Sequence, residues 1–182
     1  LLGVITLDLF AVLFGGAVAF IPEVASTILH TGPIGYGFLN AAMDIGSLIT
    51  IGMLVKYPMK QKQGLKMLLA VAGFGICIIV FGLSKVYWLS FAALLVAGLC
   101  DAVSVVVRGT ILQLFTPDEL RGRVASINLI FINSSNELGQ FESGVTSRIF
   151  GTLPAIMFGG AMSLLVVAGT WLKFPKLRKL EY

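Results

Sequence analysis

Six apolar stretches constrain this sequence most, because each is near or above the roughly 20 residues needed to cross the hydrocarbon core of a bilayer. Charged residues make up only 12% of the chain, about half of what an ordinary soluble domain carries. No apolar–polar alternation typical of strands is present, so we expect helices. The pattern indicates an all-α membrane protein with six transmembrane helices. The stretches lie at about residues 1–21, ending near Pro22, and at 34–55, 65–83, 88–115, 124–150 and 153–174.

The composition also excludes several classes of protein. So few charges argue against a disordered chain, a nucleic-acid-binding domain with a basic face and most soluble enzymes. Cys77 and Cys100 both lie inside apolar runs, where a free cysteine behaves as a small hydrophobic residue, so we expect packing rather than a disulfide. With His30 as the single histidine and no cysteine–histidine cluster, we expect no metal, no cofactor and no enzymatic activity.

The start of the chain differs from that of a secreted precursor. Leu1 begins inside an apolar run, without a methionine, a basic leading region or a small-residue cleavage site. We therefore expect a piece of a longer protein.

The basic residues are distributed unequally between the two sets of loops. Ten of the thirteen lie in the loop after the second stretch, in the loop after the fourth, and around the tail at 175–182. The opposite loops carry only Lys85 and Arg148. Because positive residues accumulate on the cytoplasmic side, this pattern places both ends of the chain in the cytoplasm.

An internal repeat relates the two halves of the chain. Residues 38–46 and 131–139 share Phe, Asn and Gly at equivalent positions, with matching acidic and aliphatic residues, at an offset of 93. The same offset relates Asp8 to Asp101. A shift of three helices reverses orientation in the bilayer, so the repeat predicts two inverted three-helix units, at about 1–86 and 87–174. Secondary transporters place their substrate site between such units.

Four acids within the apolar stretches are candidates for proton coupling or substrate binding: Asp8, Asp44, Asp101 and Glu137. Each costs about 2.5–3.5 kcal/mol on insertion scales, so each must face protein, water or a partner charge. Desolvation favours the protonated form of a carboxylic acid, which suits a reversible proton carrier. A purely structural role, in holding helices together through polar partners, is an equal alternative. The third and sixth stretches have no charge in their apolar cores and can face lipid.

Helical spacing groups further polar residues with these acids. Asn40 and Ser47 share a face with Asp44, because residues at i, i+4 and i+7 align on a helix. Arg108 shares a face with Asp101 and is a candidate for a structural or gating role. The predicted lining of a polar cavity is Asn40, Ser47, Ser104, Asn133 and Gln140. Glycines such as Gly98, Gly139 and Gly144 are predicted to allow close helix contact.

Three segments resemble the carboxy-terminal half of a bacterial major facilitator superfamily permease. They are DAVSVVVR at 101–108, QLFTPDELRGRV at 113–124 and SNELGQFESG at 135–144. The sequence LDLFAVLFGG at 7–16 is similar to the seventh helix of that group. The resemblance covers essentially the whole chain and is closest to the enterobactin-exporter-like transmembrane secretion effectors.

The resemblance implies helices seven to twelve of a twelve-helix efflux permease in the bacterial inner membrane. Such a protein moves a small molecule by alternating access, commonly by proton antiport, and its partners are its amino-terminal half and the bilayer. One departure concerns the superfamily loop motif Gly-x-x-x-Asp-Arg-x-Gly-Arg, since Lys56 stands where the acid is expected. Arg121 and Arg123 are therefore the better gating candidates.

Two other functions are compatible with six helices. One is the membrane domain of an ATP-driven transporter, although no residues here suggest nucleotide binding and such a domain needs no inverted repeat. The other is an intramembrane protease, which requires a nucleophile with a positioned base. The sequence has no Gly-x-Ser-x-Gly motif and places its one histidine beside a proline-containing loop.

Overall fold

The computed structural model describes residues 16–57, 59 and 63–173, and the regular structure in these ranges is helical. Asp8 and the predicted tail at 175–182 lie outside the described residues. The predicted stretches from the second to the sixth agree closely with five long helices. The helical segments are α1, made of Gly16–Phe20, Ile21–Glu23 and Val24–Ile28, then α2 (Pro33–Lys56), α3 (Gln63–Leu83), α4 (Tyr87–Phe115), α5 (Arg121–Phe150) and α6 (Thr152–Lys173).

The prediction that the first stretch ends near Pro22 is wrong, because helical structure continues to Ile28. Pro22 lies where a 3₁₀ segment passes into a single α-turn, a position at which a missing N–H is tolerated. A π-type segment follows, and the hydroxyls of Ser26 and Thr27 donate to the Glu23 carbonyl at 3.1 and 2.6 Å. These bonds support the turn beyond the proline.

Four of the helices, α2, α3, α4 and α6, are long and apolar enough to cross a membrane. The fifth stretch also forms one continuous helix of 30 residues, but α5 is too polar to be recognised as a span by hydropathy. The prediction of an all-α membrane protein is thus confirmed. The arrangement of six helices as two inverted repeats stays a prediction.

The closest packing joins α2 and α4 through two glycines. A Cβ atom on Gly46 would lie 2.2 Å from the Leu95 carbonyl oxygen, and one on Gly98 would lie 2.1 Å from the Met43 carbonyl oxygen. Only glycine lets the two backbones approach this closely. Three side-chain hydrogen bonds to the facing backbone tie the same helices together: Ser47 Oγ to Gly98 O at 3.2 Å, Thr50 Oγ1 to Leu99 O at 3.0 Å, and Tyr87 OH to Gly35 O at 3.1 Å.

Small residues also mark two other helix pairs. A Cβ on Gly16 of α1 would lie 2.7 Å from the Gly139 carbonyl oxygen of α5. Between α3 and α6, a Cβ on Gly160 would lie 3.0 Å from the Gly75 carbonyl oxygen. Exposed apolar side chains such as Leu69 on α3 and Leu165 on α6 are suited to lipid contact. Of the described helices, α3 also packs on α4, and α6 packs on α5 and α1.

Two apolar clusters fill the interior of the described part of the chain. The larger one joins α1 to the rest of the bundle around fully buried side chains such as Ile21, Leu39 and Phe81. The smaller one lies where α3 meets the second half of α4, around Met67, Val107 and others. Cys77 and Cys100 are free thiols packed against the larger cluster, as expected for packing residues.

Candidate transport site

The polar face of α4 lies inside the helical unit. Asp101, Ser104 and Arg108 follow the i, i+3, i+7 spacing that aligns residues on one side of a helix. Ser104 and Arg108 are only 4% and 7% exposed, and Asp101 is half-buried. The Arg108 side chain is therefore covered by the chain itself and does not extend to the surface of the bundle.

The predicted polar stripe of α2 divides into two parts. Ser47 turns toward α4, where its hydroxyl donates to a backbone carbonyl and serves helix packing. Asn40 and Asp44 are exposed on the surface of the chain. With about 100° between successive residues, Asp44 lies about 160° around the helix from Gly46, which makes the contact with α4.

The predicted stripe of α5 is also exposed. Asn133, Glu137 and Gln140 all lie on the surface of the chain, whereas Ser135, Gly139 and Ser143 are buried on another face. Gly139 makes the close contact with α1, and Glu137 again lies about 160° around the helix from that glycine. The structure thus separates a packing face from a polar face on this helix.

The stripes of α2 and α5 occupy equivalent positions. In both helices an exposed acid precedes a buried, close-packed glycine by two residues, and an exposed asparagine precedes the acid by four. Asp44 and Glu137 are therefore presented in the same way on two helices that pack against different neighbours, α4 and α1 respectively.

An exposed carboxylate within a membrane span requires an environment other than hydrocarbon. Asp44 is the twelfth of the 24 residues of α2, which places it near the middle of the span. Contact with lipid at that depth would cost about 2.5–3.5 kcal/mol on insertion scales. Water or a further protein surface is therefore needed around Asp44, whereas the inward face of α2 is satisfied by α4.

The gating candidates lie around the connection between α4 and α5. Arg121 and Arg123 are exposed, and Arg121 forms an ion pair of 2.9 Å with Asp118, three residues earlier. Both partners of that pair are solvent-exposed, so it contributes little stability. A shallow cavity of about 300 Å³ lies beside Arg121, between the end of α4 and the first turn of α5.

Other polar contacts were not predicted from the sequence. The Thr152 hydroxyl at the start of α6 donates to the Glu23 carboxylate of α1, and Thr50 bonds across to α4. Helical spacing could have indicated Thr50, which follows Ser47 on the same face. Its hydrogen-bond partner is a backbone carbonyl, which spacing does not reveal. Among residues 16–57, 59 and 63–173, no group of three or more His, Cys, Asp or Glu side chains is arranged to hold a metal ion.

Comparisons with known proteins agree with a transport role for such a bundle. The profile of a family described as transmembrane secretion effector, within the major facilitator superfamily, matches residues 4–182. The chain is also 35% identical over 88 residues to the enterobactin exporter EntS of Escherichia coli O1:K1, a segment that is 48% of this chain and 21% of the exporter. EntS of Shigella flexneri shows the same identity over 22% of its length. The aligned segment thus spans less than a quarter of these relatives.

Proposed function

Because the chain belongs to the transmembrane secretion effector family, we propose that it forms the carboxy-terminal half of a secondary active exporter. In this proposal a small molecule crosses the membrane by alternating access, and the movement is coupled to protons. The family assignment and the membrane-spanning helices support transport as such. The finer statements rest on the positions of the polar residues.

The observation that carries the proposal is the matched exposure of Asp44 and Glu137. The two acids are placed in the same way on α2 and α5. Asp44 is turned away from α4, and Glu137 is turned away from α1, so both are suited to line one aqueous path. Asn40, Asn133 and Gln140 add hydrogen-bonding groups to the same faces. Carboxylates in such a path can accept and release protons as access alternates between the two sides. In the proposal Asp101 and Asp8 belong to the same set of acids, and Ser104 adds a hydroxyl beside Asp101.

The contacts between helices support the proposed inverted repeat of units 1–86 and 87–174. In the proposed repeat, α1, α2 and α3 correspond to α4, α5 and α6. The helix pair α2–α4 therefore corresponds to the pair α5–α1. The two pairs are both joined by a glycine on the first-named helix, Gly46 in one case and Gly139 in the other, and these glycines are 93 residues apart. The helices α3 and α6 correspond to each other in this repeat, and they are joined by Gly75 and Gly160.

The surroundings of the unit follow from the same proposal. The exposed faces of α2 and α5 meet the amino-terminal half of the transporter across the path, in the inner membrane of a bacterium. The basic loops and both ends of the segment lie in the cytoplasm, where Arg121 and Arg123, with the tail at 175–182, face the aqueous phase. Arg108, held inside the bundle, links α4 to the gating movement. The partners are a small-molecule substrate and the bilayer, with no nucleic acid.

The proposal is tested by replacing Glu137 in the intact protein. Glu137→Gln keeps the size and hydrogen-bonding capacity of the side chain but removes its ability to carry a proton. We expect the variant to insert normally and to lose gradient-driven uptake of enterobactin, the cargo named for the similar exporters, into everted membrane vesicles.

The matched control is Glu142→Gln on the same helix. Glu142 is half-buried and accepts a hydrogen bond of 2.8 Å from Thr146 one turn later, so its carboxylate serves its own helix. This variant should transport normally. Normal gradient-driven transport by Glu137→Gln would remove Glu137 from the mechanism.

A further inference from the structure

An open apolar groove lies on the other side of α2 from its path-facing residues. Its floor is α4, and its walls are α2 and α3, which both pack on α4. The cavity has a volume of about 480 Å³, within the range of about 300–1,000 Å³ of small-molecule sites. The apolar lining includes Met53 and Leu54 of α2, Leu69 and Ala70 of α3, and Leu99 and Val103 of α4.

The groove extends through one half of the bilayer. Leu99 and Val103 on its floor are the thirteenth and seventeenth of the 29 residues of α4, at the middle of that span. At the other end, Lys66 on the rim is the fourth residue of α3, at the membrane surface. An apolar channel that runs from the surface to the midplane has the length of one acyl chain of a single leaflet.

The charge around the groove is entirely positive. Of the residues that the structure describes, Lys66 is the charged side chain that lines the groove, and the preceding loop begins at Lys56, which is also exposed. The sequence has no acidic residue between Asp44 and Asp101, so a zwitterionic headgroup would find no carboxylate for its amine. The other polar lining residue, Thr50, already donates its hydroxyl to the Leu99 carbonyl. The first turn of α3 carries no acid and adds the positive end of a helix dipole.

From this combination we propose that the groove between α2, α3 and α4 binds phosphatidylglycerol, with one acyl chain along the groove and the phosphate at Lys66. Basic sites at the membrane-surface ends of helices recognise lipid headgroups in this way. One lysine among the described lining residues suits a lipid with one phosphate. The proposal rests on the spans of α2, α3 and α4 and is independent of what the protein transports.

The experiment measures lipid bound to the intact protein by native mass spectrometry. The purified protein is incubated with equal amounts of phosphatidylglycerol and phosphatidylcholine that carry the same acyl chains. We expect the wild type to retain phosphatidylglycerol preferentially. Lys66→Gln should weaken that binding about fivefold, the effect of one lysine near the membrane surface. Lys85→Gln, which removes an exposed lysine beyond the opposite end of α3, should leave the binding unchanged.

A second variant tests the acyl-chain part of the site. Val103→Phe fills the floor of the groove and should reduce the binding of both lipids. The proposal is overturned if Lys66→Gln loses no more phosphatidylglycerol than Lys85→Gln, or if folded Val103→Phe binds as the wild type does.

Photo-crosslinking in cell membranes identifies the occupant directly. A benzophenone amino acid in place of Met53, on the α2 wall, should form an adduct with the mass of a phospholipid. A crosslink to another segment of the polypeptide would show that protein covers the groove and would overturn the proposal.

Discussion

Gly98→Ala is expected to destabilise the protein, because it adds one methyl group at the crossing of α2 and α4. The new Cβ would lie 2.1 Å from the Met43 carbonyl oxygen, whereas ordinary contact begins at 3.4 Å. The three nearest obstacles are all backbone atoms of Met43, so the helices must separate by roughly 1.3 Å, the difference between these distances. That movement would lengthen the 3.2 Å hydrogen bond from Ser47 beyond a useful range.

The expected loss of stability is the sum of a steric, a hydrogen-bond and a helix-propensity contribution. Overpacking costs about 1–3 kcal/mol, and each interhelical hydrogen bond lost in a membrane protein costs about 0.6 kcal/mol. The higher helix propensity of alanine returns up to about 1 kcal/mol. The net destabilisation is therefore about 1–3 kcal/mol.

Gly52→Ala is the matched control on α2, because a Cβ at Gly52 has nothing within 4 Å. It carries the same gain in helix propensity without the collision. Both variants are measured in the intact protein by titration with SDS in mixed micelles, followed by circular dichroism. Gly98→Ala should be less stable than Gly52→Ala by about 2–4 kcal/mol. Equal stability of the two variants would refute the close packing of α2 on α4.

Three further changes test other parts of the structure. Thr50→Val removes a hydrogen bond to α4 and should lower stability by about 0.6 kcal/mol in the same titration, and no loss would show that the bond is unimportant. Arg108→Ala empties a buried position and should cost about 2–5 kcal/mol, whereas exposed Arg148→Ala should stay within about 0.5 kcal/mol of the wild type. In a background without native cysteines, Asp44→Cys should react with a membrane-impermeant methanethiosulfonate. Buried Ser163→Cys should not react, and equal protection of both positions would argue against an aqueous path.

Much of the fold could be predicted from the sequence, because the length of an apolar run sets the length of a membrane-spanning helix. The bounds of α2, α3, α4 and α6 agree with those of the apolar runs, and the more polar fifth stretch also matches α5. The end of α1 could not be predicted in this way. A proline usually marks a helix boundary, but at Pro22 a change of helix type absorbs the missing N–H.

The packing of the helices was predictable only in part. The sequence indicated close contacts at Gly98 and Gly139, and the structure places both at helix crossings. Gly144, predicted in the same way, is exposed and has nothing within 4 Å in this chain. A glycine allows close approach, but which face meets a neighbour depends on the tertiary arrangement.

The candidate site was also predictable from the sequence only in part. Helical spacing grouped Asn40, Asp44 and Ser47, but it could not show that Ser47 turns to a carbonyl of α4 while the other two stay exposed. The repeat between 38–46 and 131–139 was visible in the sequence. Its physical meaning, a packing glycine and an exposed acid on opposite sides of each helix, required the contacts of Gly46 and Gly139.

Gradient-dependent transport is the measurement that distinguishes a proton-coupled exporter from an ATP-driven one. Everted vesicles that contain the intact protein are supplied with enterobactin, first with an imposed pH gradient and then after an ionophore has collapsed it. We expect accumulation with the gradient, loss of accumulation after its collapse, and no accumulation in vesicles with Glu137→Gln. Accumulation that requires ATP and continues without the gradient would contradict a proton-coupled secondary exporter.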